Sequence, residues 1–332
     1  MDPCSATVVF LGGVAGLVVG LRKRSAAVSE ERAPLALPGP GATLAPAETG
    51  EIDLPPTPKP PTLPEPTDRI GPYALGRELG CGGMAVVYEA VDAYNGRRCA
   101  LKLLYPQHAR RPKIRARFLD EARLLQGFDN PGLVHVIEVL DDPPAFAMEL
   151  LQGQTLADRL ADPAPIPLEQ ALRILREALR AAAYFHEHGV VHRDLKPGNL
   201  FLTPDGLKIM DFGIAKIADT GRTRTRTFLG TPGFMSPEQV ESARNVDARS
   251  DLFALGAVLY ELIARQPAFT GPTEFAVLNA VLEVRYTPLP EVNGDAPGWL
   301  VDVVDRALQL DPAARFPTAQ AFLAALEEPP IP

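Results

Sequence analysis

The stretch HRDLKPGN, residues 192–199, is followed by DFG, residues 211–213, and the two motifs together suggest one chemical site. They contain two carboxylates and one amide, on Asp194, Asp211 and Asn199. Oxygen atoms of this kind are the ligands that Mg²⁺ takes in proteins, usually together with the phosphate groups of a substrate. The two motifs therefore predict a site that holds Mg²⁺ and orients a substrate hydroxyl.

A glycine-rich stretch lies upstream, in LGCGGMAVVYEA, residues 79–90, between two predicted strands. Its glycines, at positions 80, 82 and 83, would let backbone N–H groups approach phosphate oxygens. Glycine-rich hairpin turns without a ligand are also common, so this stretch alone leaves both interpretations open. It is not a Walker A loop, because no Gly-Lys-Ser/Thr ends it.

Lys102 lies within the short apolar strand CALKLL, residues 99–104. A buried lysine needs an anionic partner, and otherwise its side chain points outward. One face of the amphipathic helix predicted at about 112–127 carries the apolar residues Phe118, Ala122 and Leu125. Glu121 lies next to that face, which makes it the predicted partner of Lys102.

The composition is that of a globular protein with a net negative charge. Hydrophobic residues make up 46% and charged residues 22% of the 332 residues, a length that suits one two-lobed domain or two domains. The 33 Lys and Arg against 41 Asp and Glu give a formal charge of −8, which argues against a nucleic-acid partner. Cys4, Cys81 and Cys99 form no C-x-x-C pair, so they indicate a reducing compartment and do not suggest a zinc site.

Residues 1–24 predict a membrane anchor. An apolar run from Ala6 to Leu21 carries no charge and stops at Arg22-Lys23-Arg24. As a helix this run spans about 24 Å against about 30 Å of hydrocarbon, a difference that local thinning or snorkelling could close. The cations that follow would keep the rest of the chain in the cytoplasm. A buried segment or a wrongly assigned start codon, in a soluble cytoplasmic protein, is the alternative.

The same apolar run contains a small-residue pattern. Gly12, Gly16 and Gly20 recur every four residues and share one helix face. This spacing lets two membrane helices approach closely, so it predicts a homodimer through that face.

Two regions follow the anchor. Residues 25–68 hold eleven prolines between Pro34 and Pro66, which predicts an extended flexible linker in preference to a docking ligand for a proline-reading domain. Residues 69–328 predict an α+β fold with a β-rich N-lobe, 69–149, and a mostly helical C-lobe, 150–328. The later predicted elements are strands at 133–140 and 145–150 and helices at 168–188, 250–264, 273–283, 297–309 and 318–327.

Over about residues 70–328 the chain resembles the eukaryotic-type, or Hanks-type, serine/threonine protein kinases, and it looks most like their membrane-anchored bacterial members. The motifs of that family occur here in the family's order. They read Gly80-Cys81-Gly82, Lys102, Glu121, His192 to Asn199, Asp211-Phe212-Gly213 and Ser236-Pro237-Glu238. The resemblance implies the bilobal protein-kinase fold and transfer of the γ-phosphate of ATP to protein serine and threonine hydroxyls.

The resemblance also implies roles for the residues of the site. Asp194 would orient the substrate hydroxyl and accept its proton, and Lys196 would neutralise the γ-phosphate. Lys102 would hold the α- and β-phosphates and pair with Glu121. The implied ligands of Mg²⁺, or of Mn²⁺ in its place, are Asn199 and Asp211.

Further positions follow from the same resemblance. The implied ATP-binding residues are Leu79, Gly80, Cys81, Gly82, Gly83, Met84, Val87, Ala100, Lys102, Met148, Glu149 and Leu151. Among these, Met148 would be the gatekeeper, and residues 149–151 would be the hinge that binds adenine. The implied regulatory spine consists of Leu125, His192 and Phe212. Asp251 would brace the catalytic loop, and Glu238 and Arg315 would form a buried pair.

Two positions depart from the family pattern. The third glycine of the loop is replaced by Ala85, and the A-P-E motif reads S-P-E with Ser236. A methyl group at Ala85 implies slightly less loop flexibility, and neither change removes a catalytic atom. Cys81, at the loop tip, is interpreted as an ordinary small residue in preference to a redox-sensitive or covalently targetable one.

Three functions are compatible with this resemblance. An active serine/threonine kinase is favoured, because the residues that pseudokinases usually lose are all present, namely Lys102, Asp194, Asn199 and Asp211. A pseudokinase that acts as a membrane-tethered signalling scaffold is the alternative. A kinase for small molecules is disfavoured, because residues 230–238 keep a substrate-facing threonine, Thr231, and the S-P-E run.

The stretch GRTRTRTFLGTP, residues 221–232, lies between the DFG and S-P-E motifs and so falls in the activation segment of the family. In that family the arginine before the catalytic aspartate, here Arg193, receives a phosphate carried by the segment, and Lys216 is placed to help. A phosphate carries about −1.5 to −2 charge and can hold a loop against such cations. We expect autophosphorylation, in trans between dimerised chains, at Thr223, Thr225 or Thr227.

Overall fold

The computed structural model describes residues 69–212, 232–242 and 246–327. The predicted anchor, 1–24, and the predicted linker, 25–68, lie outside these ranges. So do several predicted site residues, namely Gly213, Lys216, Thr223, Thr225, Thr227 and Thr231. Within the described ranges, no helix combines the length and the apolar character that crossing a membrane requires.

Six antiparallel strands form the sheet of the N-lobe. They are β1 Arg69–Ile70, β2 Tyr73–Cys81, β3 Ala85–Asp92, β4 Arg98–Leu104, β5 Val136–Leu140 and β6 Ala145–Glu149. The spatial order is β1-β2-β3-β4-β6-β5, so β4 lies between β3 and β6. Because side chains alternate along a strand, the two faces have separate cores. Leu101 of β4 belongs to one core, and Phe146 of β6 belongs to the other.

A helix covers the second of these faces. The single-turn helix α1, Pro106–Ala109, precedes α2, Pro112–Gln126, which begins with a proline at the position where its missing N–H is not needed. The buried residues of α2 recur at helical spacing and are Phe118, Leu119, Glu121, Ala122 and Leu125. The Phe118 ring packs on Phe146 with 5.2 Å between ring centres, which fixes α2 against the sheet.

The C-lobe is mostly helical. Its helices are α3 Leu156–Ala161, α4 Leu168–Glu187, α5 Pro237–Glu241, α6 Ala248–Ala264, α7 Glu274–Leu282, α8 Leu289–Val292, α9 Gly298–Ala307 and α10 Ala319–Glu327. Three short strands, β7 Gln154–Thr155, β8 Leu200–Thr203 and β9 Gly206–Ile209, form a second antiparallel sheet. Helix α6 is buried along most of its length. A Cβ added at its Gly256 would lie 2.6 Å from Ala307 Cβ, so the glycine is what allows α9 to pack this closely.

The predicted α+β fold with a β-rich N-lobe and a helical C-lobe is confirmed. The long helices begin and end within two residues of their predicted limits. The strand predicted at 133–140 begins only at Val136, because Leu133 forms an isolated parallel bridge with Ile209. The hairpin of β8 and β9 and the short helix α3 were not predicted.

Candidate active site

One buried carboxylate anchors the loop 192–199. Asp251, in the first turn of α6, is only 1% exposed. Its two oxygens accept hydrogen bonds from the backbone N–H groups of His192 and Arg193, each at 2.8 Å. His186 Nε2 also lies 2.8 Å from Asp251 Oδ2. Hydrogen bonds to a charged group are strong, so Asp251 fixes the loop backbone immediately before Asp194.

His192 is fully buried, and the partners of its two ring nitrogens define its tautomer. Nε2 lies 3.0 Å from the carbonyl oxygen of Met210 and therefore donates, whereas Nδ1 accepts from the backbone N–H of Asp194 at 3.2 Å. Burial outweighs the attraction of nearby carboxylates and lowers the pKa of His192, so the ring is neutral. His192 thereby connects the residue before Asp211 to Asp194.

Asn199 links the backbones of the two motifs and bonds the Asp194 carboxylate. Its Nδ2 donates to Asp194 Oδ2 at 2.9 Å and to the Asp194 carbonyl oxygen at 2.7 Å. The same nitrogen lies 3.4 Å from the carbonyl oxygen of Asp211. Lys196 Nζ lies 3.4 Å from Asp194 Oδ2. The Asp194 carboxylate is therefore oriented by an amide and a cation of its own loop.

Lys102 connects β4 to the residue that begins the DFG motif. Its Nζ lies 2.6 Å from Asp211 Oδ1, and it also lies 5.6 Å from the centre of the Phe146 ring. Burial disfavours the charged lysine, but the carboxylates of Asp211, Glu121 and Asp194 outweigh burial and raise the pKa of Lys102. The partial burial of Asp211 is likewise outweighed, and Lys102 lowers the pKa of that carboxyl. Both partners of this ion pair are therefore charged.

Glu121, the predicted partner of Lys102, belongs to the same electrostatic cluster. It is 5% exposed in α2, and after Asp211 it attracts Lys102 most strongly. The structure thus brings Lys102, Glu121 and Asp211 together. Sequence reasoning did not anticipate the ion pair between Lys102 and Asp211, because that pair joins residues 109 positions apart.

Two residues of the site have a left-handed backbone. Arg193 has φ of 65° and Asp211 has φ of 52°. This conformation costs a non-glycine residue roughly 1–3 kcal/mol and persists only where the surroundings enforce it. For Arg193 the enforcing contacts are its N–H to Asp251 and its carbonyl oxygen, which accepts from Gln239 Nε2 at 2.9 Å. Strain of this kind concentrates at functional sites.

Aromatic rings pack around Phe212. Its ring centre lies 4.4 Å from that of His192, 5.1 Å from Phe185 and 6.2 Å from Phe128. Leu125 is buried in the same core. The structure therefore shows direct contact between two members of the predicted spine, and it adds Phe128 and Phe185, which sequence reasoning missed.

Asn199 and Asp211 provide oxygen donors that suit a hard cation such as Mg²⁺. Asn199 uses its amide nitrogen on Asp194, which leaves its carbonyl oxygen as a ligand. Asp211 uses Oδ1 on Lys102, and its side chain is 46% exposed, so part of this side chain is accessible. The described residues contain no group of three or more His, Cys, Asp or Glu that could hold a metal ion. Two protein oxygens completed by substrate phosphates suit Mg²⁺, so Asn199 and Asp211 fit that ion.

The glycine-rich stretch forms the turn between β2 and β3. The Gly82 N–H donates to the Ala85 carbonyl oxygen at 2.8 Å and closes the turn over Gly83 and Met84. A Cβ added at Gly82 would meet no atom closer than that same oxygen, at 3.8 Å. Packing within the loop therefore does not require glycine at position 82.

The other predicted ATP-binding residues follow the strands of the N-lobe. Leu79 lies near the end of β2, one residue before Gly80, and Val87 lies opposite Lys102 in the ladder of β3 and β4. Ala100 of β4 lies opposite Met148 of β6. These ladders place the sheet positions next to the lysine that pairs with Asp211.

The predicted hinge begins at Glu149, and its carboxylate is already engaged. Glu149 Oε1 accepts from Lys208 Nζ at 2.6 Å and from the His135 N–H at 2.8 Å. Leu151 is partly buried against the main core. The Glu149 N–H also donates to the His135 carbonyl oxygen at 2.9 Å, so both the carboxylate and the N–H of Glu149 are bonded within the protein.

Arg315 and Glu238 form the predicted buried pair. Two guanidinium nitrogens of Arg315 donate to the two oxygens of Glu238, at 2.8 and 2.9 Å, and Ser250 Oγ donates to the same carboxylate. The other Arg315 hydrogen bonds go to the carbonyl oxygens of Arg249, Gln309 and Leu310. Burial opposes ionisation of Glu238, but the bonds from Arg315 and Ser250 outweigh it and lower the pKa of Glu238.

The two departures from the family pattern lie in packed surroundings. Ala85 is 6% exposed, and its methyl group belongs to the main core. Ser236 is fully buried, and its backbone N–H donates to Gln239 Oε1 at 3.1 Å. Cys81 is an exposed free thiol, whereas Cys99 is buried. Each small side chain at 85 and 236 is therefore accommodated within the fold.

Sequence reasoning missed several residues that support the site, namely His186, Phe185, Phe128, Lys208, Gln239 and Ser250. They belong to no short motif, and their partners are distant in sequence. His186, for example, contacts Asp251 across 65 residues, and Gln239 contacts Arg193 across 46. Only the tertiary structure brings these pairs together.

A β-rich lobe that carries a buried lysine, joined to a helical lobe that carries the HRD and DFG aspartates, defines the protein kinase class. Residues 73–325 match the protein kinase domain family, and the chain belongs to this family. The predicted fold and the predicted kinship with bacterial serine/threonine protein kinases are confirmed.

The chain is similar to several bacterial kinases. The serine/threonine-protein kinase PknB of Mycolicibacterium smegmatis is 38% identical over 266 residues, which are 76% of this chain and 42% of that protein. The DNA damage-responsive serine/threonine-protein kinase RqkA of Deinococcus radiodurans is 42% identical over 248 residues, which are 72% of this chain and 36% of that protein. The matched region thus corresponds to about two fifths of the length of these curated relatives.

Solved structures give the same result. The kinase domain of Mycobacterium tuberculosis PknI superposes with a TM-score of 0.64 at 27% sequence identity. The superposition covers 80% of this chain and 99% of that domain.

Proposed function

We propose that this chain is an ATP-dependent protein kinase that phosphorylates serine and threonine hydroxyls. The observation that carries the proposal is the convergence of Lys102, Asp194, Asn199 and Asp211 in one site. Lys102 is 2.6 Å from Asp211, and Asn199 is 2.9 Å from Asp194 Oδ2. The names of the bacterial relatives, which are serine/threonine-protein kinases, support the same activity and acceptor class.

The site residues divide the reaction between them. Asp194, oriented by Asn199 and Lys196, receives the hydrogen bond of the substrate hydroxyl and takes its proton as the oxygen attacks the γ-phosphorus. ADP leaves as the bond between the γ-phosphorus and the bridging oxygen breaks. Lys102 neutralises charge on the α- and β-phosphates.

The cation site complements this arrangement. Asn199 and Asp211 would hold Mg²⁺, or Mn²⁺ in its place, and the bound ion would supply positive charge to the phosphate oxygens. Asp211 also keeps Lys102 directed into the same site through their ion pair. One residue therefore links the metal ligands to the phosphate-binding lysine.

The proposal includes how the chain is organised and controlled. Residues 1–24 anchor the protein in a membrane and dimerise through Gly12, Gly16 and Gly20, and residues 25–68 tether a kinase domain, 69–328, in the cytoplasm. Autophosphorylation at Thr223, Thr225 or Thr227 places a phosphate near Arg193 and Lys216, and Thr231 faces the substrate. This organisation is supported by the apolar run, the glycine spacing, the proline-rich stretch and the threonines of the activation segment in the sequence.

Phosphoamino-acid analysis tests the proposed activity. The full chain is incubated with Mg²⁺, γ-³²P-labelled ATP and a mixed protein acceptor, and the labelled protein is hydrolysed in acid. We expect label on phosphoserine and phosphothreonine, and background label with Asp211→Asn, which removes the charge paired with Lys102. Label equal to that of Asp211→Asn would indicate the pseudokinase alternative, and label confined to tyrosine would contradict the acceptor class.

A further inference from the structure

The residues that follow β4 contact the glycine-rich turn. We call residues 105–109 the strap. The Tyr105 N–H donates to the Met84 carbonyl oxygen at 3.0 Å. Burial together with the neighbouring Cys81 thiol raises the pKa of Tyr105 to about 12. His108 Nε2 lies 3.2 Å from the Gly83 carbonyl oxygen. The strap therefore contacts both arms and the tip of the turn.

The contact at the tip defines the state of His108. Because the Gly83 carbonyl oxygen can only accept, Nε2 must carry the proton and donate. His108 Nδ1 is buried and has no hydrogen-bond partner among the described residues. When the proton is on Nε2, Nδ1 carries no hydrogen, so no N–H group is buried without a partner. The ring is therefore held in the one tautomer that bonds the turn.

The backbone of the strap fixes where this ring stands. Tyr105 continues the ladder beyond the pair of Ala85 and Leu104 through its bond to Met84. Helix α1 then turns the chain, with the N–H groups of His108 and Ala109 both donating to the Tyr105 carbonyl oxygen at 2.9 Å. Ala109 packs against the main core. The imidazole thus projects from a turn that is anchored at both ends.

The turn itself has little else to hold its tip. Cys81, Gly82 and Gly83 are all exposed, and within the turn the one backbone bond is from Gly82 to Ala85. Glycines carry no side chain that could pack, and they lose more conformational entropy than other residues when they are fixed. An external hydrogen bond at Gly83 therefore changes how often the tip occupies its bound position.

We propose that His108 is a positioning residue that holds the tip of the glycine-rich turn over the phosphates of ATP by donating from Nε2 to the Gly83 carbonyl oxygen. The proposal rests on the proposed function, since it assigns a regulator to the same nucleotide site. The strap acts on the phosphate end of ATP, because the adenine end is bound by the hinge on the other side of β4. His108 therefore affects ATP and leaves adenosine unaffected.

Nucleotide binding tests the proposal without requiring phosphoryl transfer. The full chain is prepared as wild type, His108→Ala, His108→Gln and His188→Ala. Gln keeps an N–H donor, and His188 is an exposed histidine at the end of α4, in the C-lobe, that contacts the Tyr184 carbonyl oxygen. Dissociation constants for ATP with Mg²⁺ and for adenosine are measured by calorimetry, and KM for ATP and kcat are measured beside them.

We expect His108→Ala to raise the Kd and KM for ATP about threefold to tenfold, as the loss of one hydrogen bond implies. The Kd for adenosine and kcat should stay within twofold, His108→Gln should recover most of the affinity, and His188→Ala should match wild type. Three results would each overturn the proposed role of His108. They are an unchanged affinity for ATP in His108→Ala, an equal loss of affinity for adenosine in that variant, and a failure of His108→Gln to recover the affinity for ATP. A wild-type protein that binds no ATP would instead refute the proposed kinase function, and the proposed role of His108 would fail with it.

Discussion

Lys102 shows how a single side chain depends on charges from three parts of the chain. Its burial alone would favour the neutral amine, yet Asp211, Glu121 and Asp194 raise its pKa. The opposing charges make the lysine a fixed cation in a partly buried site, where electrostatic interactions are stronger than in water. The proposed role of Lys102 in binding phosphate agrees with this placement.

Substituting Lys102 by methionine keeps most of the length of the side chain and removes its charge. The carboxylates of Asp211 and Glu121 then lose their shared cation, and the phosphates lose a partner. We expect kcat/KM for ATP-dependent phosphorylation to fall by about 100-fold or more, as for other preorganised electrostatic groups. Initial rates for the variant and for Lys113→Met, an exposed lysine of α2, provide the measurement. Lys102→Met activity above one tenth of wild type would contradict the assigned role.

The sequence revealed which residues carry the chemistry of the site, but it revealed few of the contacts between them. Lys102, Asp194, Asn199 and Asp211 were all recognised from short motifs, because each motif is contiguous. The ion pair of Lys102 with Asp211 and the bonds of Asp251 to His192 and Arg193 were beyond local reasoning about geometry. The distance from Lys102 to Asp211 depends on how the two lobes pack, and the bonds of Asp251 depend on how α6 packs within the C-lobe.

Among the structural elements, α5 and the segment before α10 are joined by the pair of Glu238 and Arg315. Arg315 is fully buried and makes a two-pronged contact with Glu238, which is also mostly buried. A buried ion pair of this kind stabilises the fold little more than apolar residues of similar volume would. Loss of one partner, however, leaves the other charge buried and unpaired. The junction between these elements is therefore sensitive to single substitutions.

This junction gives a pH-dependent prediction. The pKa of Glu238 is lowered in the folded protein, so its stabilising effect is present above its unfolded pKa of about 4.5 and is lost as pH falls through the folded value. Glu238→Gln should lower the free energy of unfolding at pH 7 by up to roughly 3–5 kcal/mol. The difference from wild type should shrink toward pH 4. Urea unfolding of both proteins at several pH values measures it.

An exposed pair supplies the matched control for this experiment. Glu283 and Arg285 are bonded at 2.9 Å, but both side chains are more than 60% exposed. Glu283→Gln should change stability by less than about 1 kcal/mol at either pH. A loss in Glu238→Gln that is no larger than in this control, or that grows as pH falls, would be inconsistent with a buried ionised pair.

Element prediction succeeded where the pattern is long and local. Helix α4 was predicted at 168–188 and spans Leu168–Glu187, because its apolar residues repeat over five turns. Helix α3 was missed although Thr155 and Asp158 form a capping box, since six residues are too few for a periodic signal. The hairpin of β8 and β9 was missed for the same reason, as each strand has four residues.

For the molecule as a whole, the two-lobed division explains why the site needs both halves of the chain. The N-lobe supplies Lys102, Glu121 and the glycine-rich turn, and the C-lobe supplies Asp194, Asn199 and Asp211. The Lys102–Asp211 contact joins the lobes at the point where chemistry is proposed. A net charge of −8 gives no general support for nucleic-acid binding, which agrees with a protein acceptor.

The most direct test is the rate of phosphoryl transfer by Asp194→Asn in the full chain, measured together with its affinity for ATP. Asp205→Asn, an exposed aspartate in the turn between β8 and β9, is the matched control. If Asp194 accepts the proton of the substrate hydroxyl, kcat should fall about 100-fold or more while the Kd for ATP stays within threefold, and the control should match wild type. An Asp194→Asn protein that binds ATP normally and keeps kcat within fivefold of wild type would contradict the proposed kinase mechanism.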